Sequence, residues 1–103
     1  EAGIRACEVV DECVGKIVNR IFVNGGTAVI TADHGNVEEM INLSTGEIDT
    51  QHSVNPVPFI IAGRQFLGQP RTLLQGILAD VAPTVLKLMG ITPPTVMTGR
   101  SLI

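Results

Sequence analysis

The segment TADHGN, residues 31–36, places a carboxylate and an imidazole side by side directly after an apolar run. In open α/β sheets, reacting groups collect at the carboxyl ends of strands. Consecutive strand residues point to opposite faces, so Asp33 and His34 can serve one site only if the strand ends before them. We expect Gly35 to allow that break in the backbone. His52 precedes a second predicted strand and could return to the same edge of the sheet.

Two imidazoles and one carboxylate suit a borderline divalent ion such as Mn²⁺ or Zn²⁺. Three ligands distributed over one or two ions would leave coordination positions open for catalysis or for other residues. Structural roles are the alternatives at this point: Asp33 and His34 in a turn with a hydrogen-bonded imidazole, His52 in a polar loop, and Glu38 and Glu39 on a solvated face.

Composition limits the classes of protein to which the chain can belong. Its 103 residues, 45 % hydrophobic with only three aromatic side chains, allow one modest aliphatic core. A net charge of −3 makes nucleic acid an unlikely partner. The apolar runs are too short to span a bilayer and no signal peptide is visible, so no membrane partner is expected. The two cysteines, expected to be reduced thiols, indicate a cytoplasmic protein. No P-loop, GxGxxG, GxSxG or paired CxxC motif occurs.

The first half of the chain alternates between helical and extended patterns. Apolar residues at three- and four-residue spacing predict an amphipathic helix that ends near Gly25 and Gly26. Residues 27–32 are typical of a central strand covered on both faces in a parallel sheet. A short helical turn is expected after Asn36, then a small hairpin within residues 41–49, then a strand at residues 59–62 that ends at Gly63. The predicted apolar helix face comprises Ala6, Val10, Cys13, Val14, Ile17 and Ile21.

Cys7 and Cys13 lie too far apart on one helix for a disulfide and are expected to be reduced and buried. In the second half, residues 64–75 have a loop-like pattern. Asp80 is expected to cap a helix that has Pro83 in its first turn and that ends at Gly90. The tail, residues 92–103, is predicted to be irregular. The buried face of the second helix is expected to comprise Val81, Val85, Leu86, Leu88 and Met89.

Two helices and two strands in this order predict an α/β fold. This number of elements is too small for a complete doubly wound domain. The chain also opens on Glu1, without an initiator Met, and is almost immediately helical in pattern. We therefore expect it to be part of a longer protein.

Four motifs, in this order, resemble the C-terminal end of the cofactor-independent (2,3-bisphosphoglycerate-independent) phosphoglycerate mutases: residues 31–36 (TADHGN), 52–59 (HSVNPVPF), 80–84 (DVAPT) and 97–103 (MTGRSLI). The resemblance implies a partial three-layer α/β/α fold of the alkaline-phosphatase-like superfamily. It also implies a glycolytic isomerase that interconverts 3-phosphoglycerate and 2-phosphoglycerate through a phosphoserine. Such enzymes use two divalent ions and no 2,3-bisphosphoglycerate. The ions are expected to be Mn²⁺, with Mg²⁺, Co²⁺ and Zn²⁺ as alternatives.

The same resemblance assigns metal ligands but no catalytic nucleophile. It implies that Asp33 and His34 bind one ion and that His52 binds the other. Residues 1–103 would form the C-terminal part of the phosphatase-like domain, without the N-terminal segment and the inserted transferase domain. The serines of this chain do not match the nucleophile motif, and the substrate-binding residues stay unassigned. The chain alone is therefore expected to be inactive, to bind metal weakly and to self-associate through exposed apolar surface.

Two other interpretations remain open on the sequence. The first is another alkaline-phosphatase-like enzyme, such as a phosphopentomutase or a phosphodiesterase. The second is a non-catalytic metal-binding or interaction module. The NPVPF run at residues 55–59 and the MTGRSL ending favour the mutase.

Overall fold

The computed structural model describes residues 1–69 and 72–103, which form two compact units, Glu1–Leu67 and Gly68–Ile103. The first unit contains helix α1 (Ala2–Val23), strands β1 (Thr27–Thr31) and β2 (Phe59–Gly63), and a 3-10 turn (Arg64–Phe66). The second contains a 3-10 turn (Leu78–Asp80) and helix α2 (Val81–Leu88). The two helices and two strands confirm a partial α/β fold. Within the described ranges, no helix has the length and apolar composition needed to cross a membrane.

Helix α1 ends where the sequence predicts. The backbone N–H of Gly26 donates to the carbonyl of Ile21 at 2.9 Å, and Gly25 takes a φ of 72°, which an L side chain rarely adopts. The predicted burial of the apolar face was wrong, since the side chains of Val10 and Ile17 are 61 % and 60 % exposed. Strand β1 and the segment around Met40 contact α1, but they cover only part of it.

Both cysteines of α1 are free, as predicted, but they are exposed rather than buried. Their helical positions place them on a surface that the described residues leave open. The prediction of buried thiols was therefore wrong, for the same reason as the prediction for the apolar face.

Strands β1 and β2 pair antiparallel, with Thr27 opposite Gly63 and Thr31 opposite Phe59. The prediction of a parallel sheet with a central strand covered on both faces was wrong: among the described residues β1 pairs with β2 alone. Parallel pairing needs a crossover, usually a helix, whereas residues 32–58 return as a loop without one. Antiparallel pairing brings the end of β1 beside the start of β2. Residues just after β1 and just before β2 therefore lie at the same edge.

The loop between the strands forms turns and one small hairpin. The short turn expected after Asn36 is present, with the Glu39 backbone N–H donating to the Asn36 carbonyl at 3.1 Å, but it does not continue into a helix. The hairpin prediction is confirmed by a bridge between Ile41 and Ile48, with Gly46 at a φ of 72° in the turn.

The second unit is organised around buried polar side chains at the start of α2. The predicted helix, with Pro83 in its first turn, is confirmed, and Gly90 follows its end at a φ of 72°. The Asp80 side chain does not cap it. Instead, Asp80 accepts hydrogen bonds from the backbone N–H groups of Ile77 (2.9 Å) and Arg100 (2.7 Å). These bonds, Arg100 first, hold the pKa of Asp80 below its usual range, although burial opposes them.

The face that α2 buries matches the predicted one in part, since Val81, Val85, Leu86 and Leu88 are half-buried. Pro83 and Thr84 are its most buried residues, whereas Met89 is 66 % exposed. The tail is irregular, as predicted, yet Leu102 is buried against this unit. In the stretch predicted as a loop, residues 64–66 form the 3-10 turn, while residues 70 and 71 lie outside the described ranges.

Candidate metal centre

The three predicted ligands lie in two loop segments at one edge of the sheet. Asp33 and His34 follow the end of β1, and His52 precedes β2. A β-bridge between Gly35 and Ser53 joins the segments, with the Ser53 backbone N–H donating to the Gly35 carbonyl at 2.9 Å. The expectation that His52 returns to the edge that carries Asp33 and His34 is confirmed.

The two histidines contact each other directly. The rings of His34 and His52 stack with their centroids 3.6 Å apart and their planes within 10°. His34 Nδ1 lies 3.0 Å from the carbonyl oxygen of Gly35. Because a carbonyl oxygen can only accept, this hydrogen bond assigns the proton of a neutral His34 to Nδ1. The lone pair of Nε2 is then free for a cation, which is how a backbone carbonyl orients a metal-binding histidine.

Asp33 lies beside the free nitrogen of His34. Its Oδ1 is 3.6 Å from His34 Nε2, which is too long for a hydrogen bond. The Asp33 side chain is 87 % exposed and that of His34 is 36 % exposed. Carboxylate oxygen and imidazole nitrogen are thus adjacent and accessible, as a shared cation requires.

The three side chains do not form one complete set of ligands around a common point. In the part of the chain that the structure describes, no three His, Cys, Asp or Glu side chains converge to hold a single ion. The distribution of all three ligands on one ion, which the sequence left open, is therefore not supported. Asp33 and His34 form one pair, and His52 offers its ring separately.

A network around Glu38 ties the two loop segments together, and the sequence did not predict it. Glu38 accepts hydrogen bonds from the hydroxyl of Ser53, from the Asn36 backbone N–H at 2.9 Å, and from Asn55 Nδ2 at 3.5 Å. These four residues are called the Glu38 network below. The interpretation of Glu38 as part of a solvated face was therefore incomplete. Ser53 and Asn55 lie fifteen and seventeen positions from Glu38, and contacts at this distance produce no periodic pattern in the sequence.

Gly35 fills a position with no space for a side chain. A Cβ at this residue would overlap the Glu38 carboxylate and the Ser53 hydroxyl. Gly35 does not adopt the left-handed φ that Gly25 and Gly46 show. Backbone freedom is therefore not the reason for glycine at this position, contrary to expectation. Glycine is required because the Glu38 and Ser53 side chains lie close to its Cα.

The charge on Glu38 gives these loops a defined pH dependence. The hydrogen bond from Ser53, followed by backbone N–H groups, lowers the pKa of Glu38 from 4.5 to about 2. A carboxylate with a lowered folded-state pKa stabilises the fold fully above its unfolded pKa, and this contribution is lost as pH falls through the folded value. The link between the loops should therefore persist at pH 4.5 and be lost on acidification to about pH 2.

The Ser53 amide resonance, followed by NMR during acid titration, checks this dependence. A midpoint close to 2 is expected, and Glu38→Gln should abolish that titration step. A midpoint close to 4.5 would show that Ser53 does not stabilise the carboxylate.

Known proteins share sequence similarity with this chain over its full length. The model of the metalloenzyme superfamily matches residues 1–93. Over the whole chain, the sequence is 50 % identical to a 2,3-bisphosphoglycerate-independent phosphoglycerate mutase of Clostridioides difficile. It is 54 % identical to one of Clostridium botulinum and 52 % identical to "2,3-bisphosphoglycerate-independent phosphoglycerate mutase 2" of Methanosarcina barkeri. The chain spans about a fifth of the length of these relatives, 20 % of the first two and 19 % of the third.

Proposed function

Because this chain belongs to the metalloenzyme superfamily, we propose that Asp33, His34 and His52 are ligands of divalent metal ions. The observation that carries the proposal is the stacked pair of histidines at the sheet edge, with Asp33 Oδ1 3.6 Å from His34 Nε2. A structural turn would explain one hydrogen-bonded imidazole. It would not explain a second imidazole from a distant segment placed against the first.

We assign Asp33 and His34 to one ion and His52 to a second. Two parallel rings 3.6 Å apart suit this division, because ions in two-metal sites are about 3.5–4 Å apart. Each ring can then serve a neighbouring ion. We propose Mn²⁺ as the metal, with Mg²⁺, Co²⁺ and Zn²⁺ as alternatives, since nitrogen and carboxylate donors suit borderline divalent ions.

We propose that the activity served is phosphoglycerate mutase activity, the interconversion of 3-phosphoglycerate and 2-phosphoglycerate through a phosphoserine. The relatives' names and their 50–54 % identity over this chain support it. Divalent ions supply such phosphoryl transfers with activation of the nucleophile and neutralisation of charge. The contribution of this chain is to orient Asp33, His34 and His52 at a fixed edge.

Finer features follow from the same proposal. Residues 1–103 would be the C-terminal part of a three-layer phosphatase-like domain in a cytoplasmic enzyme. Self-association of the isolated chain remains a prediction, which the exposed apolar side chains favour. The relatives named above support a mutase rather than a phosphopentomutase or phosphodiesterase. If the chain were a non-catalytic module, substitutions of Asp33, His34 or His52 would leave the turnover of phosphoglycerate unchanged.

The isolated chain should bind metal weakly and turn over no 3-phosphoglycerate. One or two protein ligands per ion are few, so we expect a Kd for Mn²⁺ on the order of 10⁻³ M, the range of cation sites with little ligand charge. Calorimetric titration with Mn²⁺ checks this value. Asp33→Ala and His52→Ala should each weaken binding of one of the two ions, whereas Asp11→Ala on α1 should leave both unchanged.

Two results would contradict this expectation. Measurable turnover of 3-phosphoglycerate by the chain would show that its residues suffice for catalysis. Unchanged Mn²⁺ affinity and melting temperature in Asp33→Ala and His52→Ala would argue against their role as ligands.

A further inference from the structure

The Glu38 network lies on the face of the loop pair opposite to the histidine stack. Gly35 and Ser53 are partners in an antiparallel bridge, so their neighbours in sequence point to the other face. His34 and His52 are those neighbours, and they occupy a diagonal position across the bridge. Diagonal pairs lie within reach of large ring side chains, which agrees with the observed stack. The geometry of the bridge thus sets the geometry of the two rings.

The bridge itself is short and receives little support from its own backbone. Gly35 and Ser53 lie outside β1 and β2, as an isolated pair. The side chains that reinforce it belong to the Glu38 network. The Glu38 carboxylate accepts a hydrogen bond from the Ser53 hydroxyl of the other segment and one from the Asn36 backbone N–H of its own segment. Further links join Asn36 Nδ2 to the Gln51 carbonyl and Asn55 Nδ2 to the Glu39 carboxylate, each at 3.4 Å. Hydrogen bonds to a charged acceptor are stronger than neutral ones, and Glu38 alone accepts from both Ser53 and Asn55.

We propose that Glu38 is a positioning residue that aligns His34 and His52 for metal binding by holding Ser53 against Gly35. Its effect on metal rests on the proposed function, whereas its effect on the rings does not. The described hydrogen bonds of Glu38 involve neither imidazole. Glu38 acts through the bridge, as the outer partners of metal ligands commonly do.

Two variants test the contact from different sides. Glu38→Ala removes the acceptor, and Ser53→Ala removes the donor hydroxyl. Glu38→Gln keeps one carbonyl oxygen as an acceptor and should restore part of the effect, which loss of bulk alone would not predict. Glu47→Ala is the matched control, because the described hydrogen bonds of Glu47 involve its backbone.

The experiment compares ring geometry and Mn²⁺ affinity in the full 103-residue chain. In the metal-free protein, NMR should show cross-relaxation between the ring protons of His34 and His52. Glu38→Ala and Ser53→Ala should abolish it, while contacts between Val29 and Ile61 persist and report an intact sheet. Mn²⁺ affinity should fall about 10- to 100-fold, the usual cost of losing an outer partner. The control should change neither quantity.

Each outcome decides the proposal. Rings that stay stacked in Glu38→Ala or Ser53→Ala with the sheet intact overturn it, whatever happens to affinity. Rings that separate support the positioning role, and unchanged Mn²⁺ affinity in that case refutes the proposed metal ligands instead. If Glu38→Ala fails to fold, Ser53→Ala, which removes a single oxygen, gives the result.

Discussion

Replacing His52 with alanine is expected to lower phosphoglycerate mutase turnover at least about 100-fold. Loss of an outer partner of a metal ligand already costs 10- to 100-fold, so loss of a ligand should cost no less than the upper end of that range. The assay uses a chimaera in which these 103 residues replace the matching segment of the Clostridioides difficile relative, to which they are 50 % identical. Steady-state turnover of 3-phosphoglycerate is measured at several Mn²⁺ concentrations.

The dependence on Mn²⁺ separates loss of a ligand from general damage. Asp33→Ala and His34→Ala should behave like His52→Ala, and excess Mn²⁺ should recover part of the activity in each. Thr50→Ala, a substitution of an exposed residue two positions from His52, should retain the activity of the unmodified chimaera. Full activity of His52→Ala at low Mn²⁺ would refute its role as a ligand.

Replacing Thr84 with valine should destabilise the second unit by about 1–3 kcal/mol. Thr84 is completely buried, and its hydroxyl donates to the Asp80 carbonyl at 2.6 Å and accepts the Leu102 backbone N–H at 3.0 Å. Valine has nearly the same shape, so packing is preserved while a buried N–H loses its partner. The free energy of unfolding from urea denaturation measures the effect.

The matched control is Thr92→Val on the exposed tail, which should change stability by less than about 0.5 kcal/mol. In Thr84→Val, hydrogen exchange at the Leu102 amide should accelerate, because its hydrogen bond to the Thr84 hydroxyl, which holds the tail against α2, is lost. Equal stability of the two variants would mean that the tail is held by other contacts.

Much of the local structure could be predicted from the sequence, because it depends on periodicity and turn chemistry. The glycines after α1 and α2 mark their ends through a positive φ at Gly25 and Gly90, and the turn at Gly46 follows the same rule. Asp33, His34 and His52 were singled out by residue type and by their positions at strand ends. The structure then brings them together at one edge.

What could not be predicted depends on the partners of each element. An apolar run such as β1 is compatible with parallel or antiparallel neighbours, and strand direction is set by the connection. Apolar spacing on α1 indicates a face suited to burial, but burial also requires an element to cover it. The role of Glu38 was not predicted because its partner Ser53 is distant in sequence, and that of Asp80 because it accepts a hydrogen bond from Arg100 in the tail.

Anomalous diffraction at the manganese edge from Mn²⁺-soaked crystals of the chimaera tests the central claim most directly. We predict one peak within about 2.5 Å of carboxylate and imidazole atoms of Asp33 and His34. A second peak should be bonded to His52, about 3.5–4 Å from the first. Manganese bound elsewhere in the chimaera, with Asp33, His34 and His52 all free of it, would contradict the account.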